Sequence, residues 1–365
     1  MHAPTYAQMH APPHRPFTPA PDDPRPIVAH APPNLETAAA ALAAPITPTA
    51  LGYTRTNFGV PALDPATHRV VVGGAVREAA TYGVGDLAAR PSRTLVTTME
   101  CAGNDRVAMR PLPPGEPWQG AAVSTSRWTG VPLRDVLQEV GVAPGATHVL
   151  VTGADGGPRA DAEGWVPFAR ALPLEVALSP DTLLALGMND APLLPPHGAP
   201  VRLVVPGWYG MASVKWVSRI ELLTHDFDGY FQRQRYVYDA DGVIEPVTRM
   251  RVKSCIVAPA DGDRVPLGPA TLWGWAWSGD GAITHVEVAT GGDGPWHTAQ
   301  LDAPVSEYAW TRWSVTLPFE RLGRHVLRSR ARDASGAVQP DVPRDNRLGY
   351  GNNAVRTVVV DVTGP

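Results

Sequence analysis

TLVTTMECAGNDR, residues Thr94 to Arg106, reads as a β-strand that runs into a turn and leaves a thiol at its end. Thr94–Met99 is rich in β-branched residues, and Ala102-Gly103-Asn104 forces the chain to turn. Cys101 is therefore presented where the strand stops. Arg106 follows close behind, and a nearby cation favours thiolate, the form that binds soft metals or attacks electrophiles. The plain alternative is a buried inert cysteine, but the Cys-Ala-Gly-Asn setting is too distinctive to make that the default.

Downstream lies a second dense block, HGAPVRLVVPGWYGMASVKW, from His197 to Trp216. His197 and Arg202 flank the entry to a strand over Val201–Val205, Pro206-Gly207 breaks it, and Gly210, Ser213 and Lys215 follow. Glycine-rich backbone with Arg, Lys, Ser and His is suited to a phosphate-bearing ligand through amide donors and charge-assisted bonds. A solvated basic face explains the same residues equally well. The order of residues fits neither a Walker loop nor a dinucleotide fingerprint.

Between and around these blocks the chain alternates short elements. Val70–Val72 reads as a strand, Val131–Val140 (VPLRDVLQEV) has apolar residues at helical spacing with Pro132 in the first turn, and Leu183–Leu186 is expected to close a second short helix. This is an α+β pattern. After Arg251 the character changes: Trp273, Trp275 and Trp277 alternate, as do Val286 and Val288, and Thr357–Val362 is a further strand. Short strands parted by Gly, Pro and Asp over about 115 residues suggest an immunoglobulin-like β-sandwich. Six of the 11 tryptophans fall in it, which reads as aromatic core packing. The expected organisation is a Pro-rich tail over 1–44, a catalytic domain over 45–249 and the sandwich over 250–365. The first 48 residues hold 12 of the 40 prolines, so that segment is expected to be extended or to wrap its neighbour.

Bulk properties narrow the function. A formal charge of −4 argues against a nucleic-acid partner, and no apolar run is long enough to span a membrane. Two cysteines, Cys101 and Cys255, exclude a disulfide framework, a four-cysteine zinc site and an iron–sulfur cluster held by this chain alone. Cys255 has nothing cationic near it beyond Lys253 and reads as an inert thiol. His285, His297 and His325 are scattered without ligand spacing. With neither a basic-then-apolar start nor a twin arginine, the expected location is cytoplasmic, or periplasmic had a signal been removed.

Cys-Ala-Gly-Asn-x-Arg at Cys101–Arg106 resembles the molybdenum-ligand motif of the sulfite oxidase family. His197–Trp216 is similar to that family's pterin-binding block, and SRWTGVPLRDVL (Ser126–Leu137) matches between them. The resemblance implies a single pyranopterin (molybdopterin) holding molybdenum, with Cys101 as the one protein ligand to the metal. His197, Arg202, Ser213 and Lys215 would contact the pterin and its phosphate. YTRTNFGVP (Tyr53–Pro61) resembles the Arg-Asn-His segment and puts Arg55 at the substrate, with Asn57 as a cofactor contact where the family commonly has His. FQRQRY (Phe231–Tyr236) places Tyr236 beside the metal, and Trp118 is expected to line the pocket. Arg55 and Arg106 would supply the cations for an oxyanion.

The activity so implied is sulfite oxidation by a homodimer, with electrons passed to an external acceptor such as a cytochrome, since no His-Pro-Gly-Gly haem segment occurs. One departure stands out. Family members that oxidise sulfite carry a pocket arginine in a Leu-Arg-Gly loop, whereas DNRLGYGNNA (Asp345–Ala354) has Leu348 before Gly349 and Arg347 one position off. Another small oxyanion or a sulfur or nitrogen oxide is the alternative substrate, and a non-catalytic pterin-binding protein the alternative class.

Overall fold

The structure, a computed structural model, describes residues 14, 15, 17–240, 242–291 and 294–364. Two five-stranded sheets form the body of the first domain. One runs Ala162–Pro173, His148–Arg159, Val217–Leu223, Arg69–Gly74, Ala80–Gly83. Val217–Leu223 is parallel to Arg69–Gly74 and antiparallel to His148–Arg159. The other sheet runs Ala191–Pro192, Leu183–Met188, Val123–Pro132, Arg93–Glu100, and Arg202–Val204 pairs with Leu183–Met188 on the side. Val70, Val72, Val149, Val151, Ile220 and Leu222 are all buried in the core beneath the first sheet, as alternating inward positions require.

Helix is scarce. Leu133–Val140 buries Leu133, Val136, Leu137 and Val140 on one face, the i, i+3, i+4, i+7 stripe expected of it. Its start lies later than the sequence suggested, because Val131 and Pro132 are the last residues of Val123–Pro132. Leu183–Leu186 corrects the expectation of a helix: it is strand, paired to Val123–Pro132 and to Arg202–Val204. A short, continuously apolar run buried on both faces suits a central strand as well as a helix, and periodicity alone does not separate them.

The second domain is a sandwich of two sheets. One is ordered Lys253–Ala258, Gly268–Trp277, Thr311–Phe319, Gln300–Leu301, the other Arg264–Pro266, Thr357–Thr363, Gly323–Asp333, Ile283–Ala289, His297–Thr298. Leu272, Val286, Val288, Trp313, Leu327 and Val360 fill the space between them. Trp275 and Trp277 pack instead with the first domain's core, and Trp275 stacks on Trp310 with centroids 4.6 Å apart. Part of the tryptophan content thus serves the junction between domains.

The Pro-rich start is described from Phe17 onward; residues 1–13 and 16 lie outside the described residues. From Arg25 it packs on the first domain. Leu35 is fully buried, and one Glu36 carboxylate oxygen accepts three amide bonds from Gln119, Gly120 and Ala121 at 2.7–3.0 Å. Arg25 donates to Gly52 O and Thr54 Oγ1. This segment walls the region where Arg93–Glu100 ends, which is where the chemistry-bearing residues collect.

Candidate active site

Cys101 sits at the end of Arg93–Glu100, its amide bonded to Ala122 O at 2.9 Å. Asn104 turns the loop back: its amide donates to Cys101 O, its Nδ2 to Glu100 Oε1 at 3.0 Å, and its Oδ1 accepts from Ala122 N at 3.0 Å. A Cβ at Gly103 would lie 2.6 Å from the Arg106 guanidinium, so a side chain there would displace Arg106 from its place beside the loop. The Cys-Ala-Gly-Asn string is thus a clamp that fixes where the thiol points. Burial pushes that thiol up from its ordinary range, opposed by the charges of Arg55 and Arg106 and by the Gly103 amide.

The thiol opens on a cavity of about 70 Å³, into which Arg55, Asn57, Asp155, His197, Arg202, Ser213, Lys215 and Tyr236 also project. One half is polar and deep. His197 Nε2 donates to Thr49 O at 3.1 Å, which leaves Nδ1 as the free acceptor of a neutral ring. Burial, with Arg202 and Lys215 adding to it, lowers its pKa to about 3. Arg202 donates to the carbonyls of His197 and Ser213 at 3.1 and 3.3 Å and lies over Trp128, its Nε buried without a partner. Lys215 Nζ donates to Pro196 O at 2.9 Å, and burial drives its pKa well down.

Asp155, which the motifs did not flag, faces the same space. Burial raises its carboxyl to about 7 against the pull of Lys215, and its Oδ1 has no hydrogen-bond partner among the described residues. Unpaired buried polar atoms are costly unless a ligand completes them.

The other half of the cavity is built on Asn57. Arg55 Nη2 donates to Asn57 Oδ1 at 2.8 Å and pairs with Glu116 at 3.1 Å. Burial alone would lower the Arg55 pKa, but Tyr236, Glu116 and Cys101 hold it above the usual value. Asn57 Nδ2 donates to the Tyr236 hydroxyl at 3.1 Å. Tyr236 has φ of 45°, a left-handed conformation that a bulky residue adopts only when its surroundings impose it. Phe168 and Phe231 pack edge-on and tilted against its ring.

Three sequence candidates stand elsewhere. Arg106 is buried with both terminal nitrogens on backbone, donating to Glu116 O at 2.8 Å and Leu348 O at 3.3 Å, with its Cζ 5.0 Å from the Tyr350 ring and its Nε without a partner among the described residues. It acts on Cys101 through charge rather than as a cation in the cavity. Trp118 is fully buried in a cluster with Cys101 and Ala122, behind the thiol rather than on the cavity wall. Arg347 points outward to Asp239 at 2.6 Å, and Leu348 is buried.

The donor set suits a pterin carrying a phosphate and a dithiolene metal. A thiol able to become thiolate is a soft-metal ligand. Lys215, Ser213 and the unpartnered Arg202 Nε suit phosphate or ring acceptors, and the unpartnered Asp155 oxygen suits ring N–H donors.

Comparison with known proteins agrees in both domains. Residues 57–231 match the oxidoreductase molybdopterin binding domain and residues 245–363 the Mo-co oxidoreductase dimerisation domain. The two in this order define a molybdopterin-dependent oxidoreductase that binds molybdenum through the cofactor. The chain is 35% identical over 318 residues to sulfite oxidase of Gallus gallus, covering 81% of this chain and 68% of that one. To mitochondrial sulfite oxidase of Homo sapiens it is 34% identical, covering 93% and 65%. Nitrate reductase [NADH] 1 of Oryza sativa subsp. japonica is 33% identical, covering 88% and 38%. The sulfane dehydrogenase SoxCD from Paracoccus pantotrophus superposes with a TM-score of 0.82 at 28% identity, over 93% of this chain and 90% of that chain. The chain spans about two thirds of the length of the sulfite oxidases it matches. It belongs to the sulfite oxidase family.

Proposed function

We propose that this enzyme oxidises sulfite to sulfate and passes the electrons to an external acceptor such as a cytochrome. The balance is sulfite plus water giving sulfate, two protons and two electrons. The observation that carries this reading is the meeting of Cys101, Arg55 and Tyr236 on one cavity wall.

Molybdenum bound through the pterin supplies the two-electron redox and oxygen-transfer chemistry. Cys101 is the protein's ligand to it. His197, Arg202, Ser213 and Lys215 hold the pterin and its phosphate, and Asp155 joins them as an acceptor for ring N–H groups. Asn57 closes the cofactor side of the substrate pocket. Arg55 binds the oxyanion with a planar fork whose charge persists in the buried site. The Tyr236 hydroxyl orients a substrate oxygen by donating a hydrogen bond. Arg106 holds the loop around Cys101 and favours its thiolate. Phe168 and Phe231 keep bulk water from the Tyr236 side. The dimerisation domain joins two copies into a homodimer.

A second reading has one observation behind it. With Leu348 buried and Arg347 turned to solvent, the C-terminal loop adds no cation to the pocket. A sulfur compound carrying less charge than sulfite would suit that pocket. The test is turnover of sulfite with ferricyanide in ¹⁸O-water by molybdenum-loaded protein. The sulfite reading expects sulfate with one new ¹⁸O and two ferricyanide ions reduced per sulfate. Absence of sulfate from loaded protein moves the substrate elsewhere.

A further inference from the structure

Arg159 ends the strand His148–Arg159 and lays its guanidinium across the aromatic wall beside Tyr236. Its Cζ is 5.2 Å from the Phe58 centroid, 5.5 Å from Phe231 and 5.8 Å from Tyr230. Nη2 donates to Asn57 Oδ1 at 3.3 Å, and Nε is buried without a partner among the described residues. Arg55 has Glu116 beside it, whereas Arg159 forms no ion pair among the described residues. The nearby Asp161 carboxylate is engaged by the Tyr230 hydroxyl at 2.6 Å.

Two guanidinium groups therefore converge on one carboxamide oxygen, which Asn57 holds in place through Tyr236. A neutral amide is a poor acceptor for two cations, and of the two only Arg55 has a carboxylate, Glu116, paired with it among the described residues. An anionic oxygen in that position satisfies both, through charge-assisted bonds about twice as strong as neutral ones. Of the other arginines considered for the pocket, Arg106 has both terminal nitrogens on backbone carbonyls and Arg347 pairs with Asp239.

We propose that Arg159 is a specificity-determining residue of the substrate pocket, gripping a small oxyanion jointly with Arg55 by displacing the Asn57 carboxamide as their shared acceptor. This rests on the oxyanion reading of the pocket given above. It supplies a second substrate cation from the His148–Arg159 strand rather than from the C-terminal loop. The surrounding aromatic rings, set edge to face with one another, hold the fork without neutralising it, so the charge stays available to an anion.

The experiment pairs kinetics with direct binding, both normalised to molybdenum content. Arg159→Met keeps the stem that covers the rings and removes the charge; Arg159→Gln is the second variant should the first lose molybdenum. Sulfite turnover with ferricyanide is measured alongside sulfate binding to the loaded protein by titration calorimetry. The proposal expects KM for sulfite and Kd for sulfate each to rise about tenfold, the loss of one bond to a charged group, with kcat within about threefold. Unchanged KM and Kd per molybdenum overturn it, including the case where only stability or cofactor content falls. If the wild-type chain binds sulfate in an Arg159-dependent way but does not oxidise sulfite, this proposal stands and the sulfite reading fails. If sulfite is oxidised equally well by both proteins, the reverse holds.

Discussion

Lys253, in the first strand of the β-sandwich, places its Nζ 3.1 Å from Glu100, the residue immediately before Cys101. The same ammonium lies 2.6 Å from Asp105 on the far side of the thiol loop and donates to Asn352 O. Trp277 adds a bond from its indole to Glu100 Oε2 at 2.9 Å. The second domain therefore fastens both ends of the loop that carries the thiol proposed as the metal's ligand. Lys253 is held charged in spite of burial, because Asp105 and Glu100 raise its pKa.

Removing that ammonium leaves Glu100 buried without its counter-ion and Asp105 with Arg356 alone, 2.9 Å away. Lys253→Met should lower unfolding free energy by about 3–5 kcal/mol, the usual cost of breaking one side of a buried pair. Lys253→Met combined with Glu100→Gln and Asp105→Asn should recover part of the loss. Urea denaturation of the three proteins checks this; a single variant as stable as the wild type would refute the clamp.

Protonation of His197 gives a pH prediction. Its folded-state pKa of about 3 lies below its ordinary 6.5. The unfolded chain therefore binds a proton there that the folded chain refuses as pH falls through that window. Relative to a His197→Gln variant, wild-type protein should lose stability from pH 6.5 downward, by about 1.4 kcal/mol per pH unit, and the loss should level off near pH 3. Denaturation midpoints of the cofactor-free proteins across pH 7 to 4 measure the difference, and parallel curves would count against a buried neutral imidazole.

Cys101→Ser should keep the fold and lose turnover by more than about 100-fold, beyond what outer-shell changes around a metal cost. Far-ultraviolet circular dichroism and molybdenum-normalised ferricyanide reduction separate the two effects. A serine variant with full turnover would remove Cys101 from the metal.

Arg347→Ala tests the outward loop. The pair with Asp239 is solvent-exposed on the arginine side, so its loss should change stability by no more than about 1 kcal/mol. KM for sulfite should not move. A marked rise in KM would put Arg347 in the pocket after all.

Much of this was legible in the chain because its motifs are local. Cys101 to Asn104 is a turn whose hydrogen bonds close within a few residues and one neighbouring strand, so the string carries its own geometry. His197, Arg202, Ser213 and Lys215 fall within one short block and face one cavity for the same reason. Arg106 was less readable, since what commits it is the carbonyl of Leu348, 242 residues away. Asp155 and Arg159 lie in GADGGPR, where no motif marks them and only the pairing of His148–Arg159 decides which side chains face inward. The run Leu183–Leu186 gave helix where the sheet made strand, because burial on both faces erases the period that would have told them apart.

Sulfite-dependent reduction of ferricyanide by molybdenum-loaded protein, compared between wild type and Arg55→Met, tests the central claim most directly. The account predicts saturable turnover in the wild type and a rise in KM of about tenfold or more in the variant at equal molybdenum content. Turnover unaffected by the substitution, or no sulfite turnover from fully loaded wild-type protein, would contradict it.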